Sequence, residues 1–102
     1  MYQVSFYVPE THLESVKTAM FDAGGGRYEH YERCAWQILG QGQFQPLASS
    51  QPFLGAKNRL TYEAEYKVEM ICSENCLAAV VQALKTAHPY EQPAYAVVKI
   101  LQ

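Results

Sequence analysis

Leu60-Thr61-Tyr62-Glu63-Ala64-Glu65-Tyr66-Lys67-Val68-Glu69-Met70 alternates without a break between apolar or aromatic side chains and polar ones. A two-residue period places the two sets on opposite faces of an extended chain, so the stretch predicts a β-strand with one buried face. It is about twice as long as the usual strand of ~5–6 residues. A strand that outruns its neighbours leaves unpaired backbone groups at an edge, and a homo-oligomer sharing this strand is the expected way to cover them.

The flanks supply the remaining elements. On the C-terminal side, Ser73 is placed to cap a helix with Leu77, Val80, Val81 and Leu84 on one face, and Pro89 prevents its continuation. Residues 94–101 read as the last strand. On the N-terminal side, Tyr2, Val4, Phe6 and Val8 alternate with Gln3, Ser5 and Tyr7 until Pro9 stops a first strand. Thr11 and Glu14 have the spacing of a capping box. Leu13, Val16, Met20 and Ala23 follow at helical spacing, and Gly24-Gly25-Gly26 ends that helix. A second strand is expected over 33–39, with Cys34, Trp36 and Ile38 on one face. The order strand, helix, strand, strand, helix, strand predicts an α+β, ferredoxin-like βαββαβ fold: a four-stranded antiparallel sheet with both helices on one face. A chain of 102 residues supports one hydrophobic core, so 1–102 is expected to be a single domain.

Composition narrows the function. With 49% hydrophobic and 18% charged residues the chain is globular in character. Eight basic against ten acidic residues give a charge of -2 without any basic block. That removes the long-range attraction on which nonspecific nucleic-acid or anionic-membrane binding depends. No stretch approaches the ~20 apolar residues of a membrane span, and no signal peptide is visible at Met1. Cys34, Cys72 and Cys76 are odd in number and lack paired zinc spacing, which predicts reduced, buried thiols in a cytoplasmic protein.

Two regions carry more polar and aromatic chemistry than packing requires. His88-Pro89-Tyr90-Glu91-Gln92-Pro93-Ala94-Tyr95 is a rigid connector between the second helix and the last strand. His88 there could carry a proton or ligate a metal, and with Glu91 it makes half of a zinc site. The negative end of a helix dipole is an equally good reason for a histidine at that place. Residues 40–58 are too long for a hairpin turn, and Phe44, Leu47, Phe53 and Leu54 within them suggest a loop that packs on something.

Other patterns are weaker. Glu63, Glu65 and Glu69 share a strand phase but, at ~6.6 Å per two residues, do not converge on one cation. The Gly24-Gly25-Gly26 run follows a helix, whereas a phosphate cradle leads into one. Asp22 is the only aspartate, so an aspartate-held histidine beside a nucleophile has little support. The many tyrosines suit an oligomer interface better than nucleic acid, given the missing positive charge.

Several ordered motifs together resemble the YqfO-like members of the NGG-interacting-factor family. They are Ala23-Gly24-Gly25-Gly26 with Tyr31 and Cys34, Gly40-Gln41-Gly42-Gln43-Phe44-Gln45-Pro46, Pro52-Phe53-Leu54-Gly55, and Ala87-His88-Pro89-Tyr90-Glu91 with Pro93-Ala94-Tyr95. In longer members this segment is a ferredoxin-like domain inserted between two halves that hold a two-metal centre. The resemblance therefore implies a free-standing insert without those ligands. His88, Tyr90, Glu91 and Pro93 are also similar to the matching stretch of the CutA proteins, trimeric relatives of the P-II fold, which implies an oligomer such as a trimer and admits metal contact through His88 and Glu91.

The resulting expectation is a non-enzymatic, cytoplasmic, homo-oligomeric binding or regulatory module. Its ligand-binding residues are His88, Tyr90 and Glu91, with Phe44, Pro46, Phe53 and Gly55 as walls or lid. A divalent metal ion on His88 and Glu91 is the one cofactor considered. The alternative is a metal-dependent hydrolase whose site is completed at a subunit interface by His88, Glu91 and one of Glu63 or Glu65, drawing on the lowered pKa of metal-bound water. A third is a docking subunit for another protein.

Overall fold

The computed structural model describes residues 1–101. Its elements are β1 (Tyr2–Val8), α1 (Glu10–Asp22), β2 (Trp36–Phe44), β3 (Thr61–Cys72), α2 (Glu74–Ala87) and β4 (Tyr95–Lys99). The strands pair antiparallel in the order β2-β3-β1-β4, the expected ferredoxin-like arrangement.

The alternation seen in the sequence sets the core. Val4 faces Met70 and Phe6 faces Val68 across the β1–β3 ladder, so these four share one face of the sheet. All four are buried, against Leu13, Val16 and Met20 of α1 and Val80 and Leu84 of α2. Gln3, Ser5 and Tyr7 belong to the opposite phase, as do Glu63, Glu65, Lys67 and Glu69. Trp36 and Ile38 pair with Glu69 and Lys67, so they lie on this far face too, and they are 56% and 51% exposed.

Several boundaries differ from expectation for local reasons. The capping box does not form: α1 starts at Glu10 with Pro9 as N-cap and no side-chain cap. Thr11 is thus already inside the first turn, its hydroxyl 2.9 Å from His12 Nδ1, while the Pro9 carbonyl accepts the His12 N–H at 3.0 Å. Ser73 does precede α2, but its carbonyl rather than its hydroxyl takes the Cys76 N–H, at 3.1 Å.

The glycine run that follows α1 has a specific task at Gly26. Its φ is +76°, its N–H donates to the Ile71 carbonyl at 2.7 Å, and an added Cβ would lie 2.8 Å from the Cys34 carbonyl oxygen. Only glycine fits such a backbone crossing. Arg33, with φ 58°, turns the chain just before β2, which delays the strand to Trp36.

The largest difference is at the other end of β2. The strand continues through Gly40 and Gly42 to Phe44, pairing as far as Thr61, where turn-forming residues predicted a loop. β1 reaches along β3 only from Cys72 to Tyr66. Residues 61–65 therefore pair with β2 alone, and the β2–β3 hairpin overhangs the rest of the sheet. The overhang stretches the molecule to 46 × 24 × 24 Å. β4 is also shorter than expected, and just beyond it the Ile100 N–H donates to the Met1 carbonyl at 3.0 Å.

Candidate functional site

The connector after α2 is built around His88. A residue preceding proline is pushed out of the helical region, and His88 accordingly ends the helix at φ -71°, ψ 138°. That turns its ring inward, and among the described residues it is the one buried polar side chain. Nε2 lies 2.6 Å from the Tyr7 carbonyl oxygen, and Nδ1 accepts the Tyr90 N–H at 3.0 Å. The two partners select one tautomer, with the proton on Nε2. Burial holds the imidazole below its usual pKa, the Tyr7 carbonyl opposes this, and His12 adds to the lowering. His88 is thus a neutral pin joining the end of β1 to the connector.

The pin places Tyr90. Its ring stands edge-on to His88 at 4.8 Å between centroids and lies 6.2 Å from Phe44 and 6.4 Å from Phe53. Phe53 is held from the other side by an edge contact with His12 at 5.3 Å. The Tyr90 hydroxyl donates to Glu65 Oε2 at 2.9 Å. Burial, that hydrogen bond and the charges of Glu65 and Glu63 all raise the phenol well above its usual pKa. It stays a donor to the Glu65 carboxylate, and a hydrogen bond to a carboxylate is stronger than one between neutral groups. Glu65 is free to lean across β2 because residue 42 is glycine: an added Cβ would collide with the Glu65 carboxylate.

Together these groups enclose a cleft of about 390 Å³ beside the overhanging hairpin. Phe44, Pro46, Phe53, Leu54 and Tyr90 give it apolar walls, and Glu65 and Glu91 are its charged lining residues. Glu91 also fastens the loop, accepting the Gln51 N–H on Oε2 at 2.8 Å. Tyr90, Glu91, Phe44, Pro46 and Phe53 from the expected set meet here. Gly55 sits behind the wall instead, at φ +83°, where a Cβ would press on Thr61 Oγ1 at 2.5 Å and on the Phe44 ring at 3.4 Å.

A divalent ion on His88 and Glu91 would have to displace hydrogen bonds that both residues already make. Both ring nitrogens of His88 are engaged, and Glu91 is tied to Gln51. Among the described residues no three His, Cys, Asp or Glu side chains group as a metal site. Tyr7 and Gly42 are cleft residues that sequence reasoning missed, and Glu65, considered there only as a metal ligand, lines the cleft as well. The signal for Glu65 was the Gly-x-Gly spacing in the strand facing it, which reads as a turn until the pairing is known.

The three cysteines are free thiols. Cys72 is buried as expected, and burial first, then Cys76, raises its pKa, so it is no reactive thiolate. Cys34 and Cys76 are only partly covered, unlike the expectation of burial for all three.

The architecture is that of the CutA proteins. CutA of Archaeoglobus fulgidus, a periplasmic divalent cation tolerance protein, superposes with a TM-score of 0.70 over 100% of this chain and 86% of its own, at 12% identity. At that identity the likeness is one of fold. The sequence itself aligns with larger proteins. The GTP cyclohydrolase 1 type 2 homolog of Mycobacterium leprae is 39% identical over 89 residues, 87% of this chain and 23% of that protein. Its counterpart in Halalkalibacterium halodurans is 37% identical over 95 residues, 93% of this chain and 26% of that protein. A Bacillus cereus protein related to NIF3 agrees in structure as well, with a TM-score of 0.81 and 34% identity over 95% of this chain and 24% of its own.

The chain is therefore homologous to one segment of the NIF3-related, GTP cyclohydrolase 1 type 2 homolog family, the family its motifs resemble. It spans about a quarter of the length of these curated relatives. No protein-family profile matches it.

Proposed function

We propose that this domain is a non-enzymatic binding or regulatory module, cytoplasmic and homo-oligomeric, that holds a small ligand in the cleft beside Tyr90. The observation that carries this reading is the cleft itself. Three aromatic rings and a carboxylate converge on one concavity at the overhang, away from the buried core. Its volume falls within the ~300–1,000 Å³ of ordinary ligand pockets. The connector and the loop, the two regions richest in unexplained polar and aromatic residues, are the ones that build it.

A fragment screen by NMR tests the reading. Bound fragments are expected to shift the backbone amides of Phe44, Phe53 and Tyr90 together, and Phe53→Ala to weaken them by about tenfold, as loss of an aromatic wall entails. Shifts scattered over the surface, or binding indifferent to Phe53, would defeat it.

Self-association rests on a different surface. Among the described residues the outer edge of β2 has no strand partner, and Trp36 and Ile38 stand exposed beside it. A long apolar edge of this kind calls for cover, and a trimer is the number that the CutA resemblance implies. Trp36→Glu with Ile38→Glu is expected to reduce the mass seen in sedimentation velocity to that of one chain while leaving the helical circular dichroism intact. An unchanged mass would place the interface elsewhere.

The rival, a hydrolase using a metal on His88 and Glu91, would have to break hydrogen bonds that organise the connector. Nothing in the geometry favours it over a binding site. The activity carried in the relatives' name attaches to proteins about four times as long.

A further inference from the structure

We infer that the cleft selects an organic cation, an alkylated guanidinium or ammonium group, with the charged head on Glu65 and the aliphatic stem between Phe44, Phe53 and Tyr90. The inference rests on the cleft being the ligand site and adds the chemical class of the ligand.

The charge of the lining points one way. Glu65 and Glu91 are its ionisable carboxylates, and neither lysine nor arginine lines it. Neither glutamate takes part in an ion pair among the described residues. An anion such as a phosphate or carboxylate would meet two negative groups there. A purely apolar ligand would leave the Glu65 charge dehydrated and uncompensated, which is unfavourable in a partly closed cleft.

Hydrogen-bond capacity points the same way. A carboxylate has about four acceptor positions. The Tyr90 hydroxyl fills one on Glu65 and the Gln51 N–H one on Glu91, so acceptors remain to be satisfied. The polar donor nearest the rings, the Tyr90 O–H, is already given to Glu65. The lining glutamines can donate or accept, so the bias comes from the two carboxylates, which only accept and which call for a ligand that donates.

The walls favour positive charge as well. The faces of aromatic rings are negative, and a cation within about 6 Å of a ring centroid is attracted. Phe44 and Phe53 each lie within 6.4 Å of Tyr90, centroid to centroid, so a group among them touches more than one ring. Gly42 contributes by what it lacks, since any side chain there would displace the Glu65 carboxylate.

Butylguanidinium and butylurea test this directly, because the two share the butyl stem and a planar head with an N–H/NH2 edge, while the urea is neutral and carries a carbonyl oxygen where the guanidinium has a second NH2. In NMR titrations of the intact chain, butylguanidinium is expected to shift the Phe44, Phe53 and Tyr90 amides and to bind at least about tenfold more tightly than butylurea, the size of a combined charge-assisted hydrogen bond and cation–π contact. Glu65→Gln, with its core resonances unmoved, is expected to remove that preference. A preference that survives Glu65→Gln overturns the inference, as does the absence of any shift with either probe. Equal binding of the two probes at these amides overturns the choice of a cation and leaves the cleft standing as a ligand site. A peptide acetyl-Gly-Arg-Gly-amide that binds more tightly than butylguanidinium assigns the cation to a protein side chain, and weaker peptide binding assigns it to a free small molecule.

Discussion

Phe6→Ala is expected to lower the free energy of unfolding by about 3–5 kcal/mol, the range for removing a buried aromatic side chain. Phe6 has no exposed surface and is the largest fully buried side chain among the described residues. It sits on β1, a strand paired on both sides, with Val68 opposite on β3 and Tyr95 opposite on β4. Such a strand cannot shift inward to fill a void without breaking two ladders, so the cavity should persist. Small domains have a total stability of about 5–15 kcal/mol, which makes this a large fraction of the whole. Urea unfolding at a fixed protein concentration measures it, with the midpoint expected to fall and the slope to remain. A loss below about 1 kcal/mol would mean that the core repacks around the gap. By contrast Val98→Ala, at a 54% exposed position on the far face of β4, should change little.

His88→Phe is expected to lower stability by about 2–5 kcal/mol even though a flat aromatic ring is kept. The substitution leaves the Tyr7 carbonyl and the Tyr90 N–H without their partner, and each unsatisfied buried group costs about 1–3 kcal/mol. Tyr90 loses its anchor, so the Tyr90–Glu65 hydrogen bond should loosen and cleft ligands weaken together with the fold. His88→Gln, which keeps a donor and an acceptor, should recover part of the loss. Recovery no better than with phenylalanine would show that the two hydrogen bonds are not what His88 supplies.

The same histidine gives the fold a pH dependence of defined sign. Its folded pKa lies below the value of about 6.5 that an exposed histidine takes in the unfolded chain. Between the two values the unfolded state binds more protons than the folded one. The stabilisation is therefore complete above about pH 6.5 and is lost as the pH falls toward the folded pKa. His88→Gln should flatten that acid slope relative to the natural sequence, and an identical slope in both proteins would assign it to other groups.

The fold was legible because burial repeats. Val4, Phe6 and Val8, then Val68 and Met70, then Leu13, Val16 and Met20 each carry the period of their element, and hydrophobic burial is what that period reports. The cleft was legible in part, through Tyr90, Glu91, Phe44, Pro46 and Phe53, because aromatic and polar residues in a loop and a proline-bracketed connector have no packing reason of their own. Glu65 was hidden: along β3 it is one glutamate in a row that all faces β2, and only its side chain lying diagonally in the space above Gly42 sets it apart. The inward turn of His88 was hidden too, since a helix terminus explains a histidine without any need for burial. Gly40 and Gly42 misled, because glycine marks both turns and places where a neighbouring side chain must lie flat on a strand.

The hydrogen bond from the Ile100 N–H to the Met1 carbonyl, beside the Tyr2–Lys99 pairing of β1 with β4, brings the start of β1 and the end of β4 to the same corner of the sheet. A polypeptide can therefore run into this fold and out again with almost no net displacement, so a host protein could carry it as it carries a surface loop. The same geometry makes the domain suited to circular permutation. A short linker across that corner would free new ends to be opened near Ser49 and Ser50, in the loop between β2 and β3, with every strand pairing of the sheet kept.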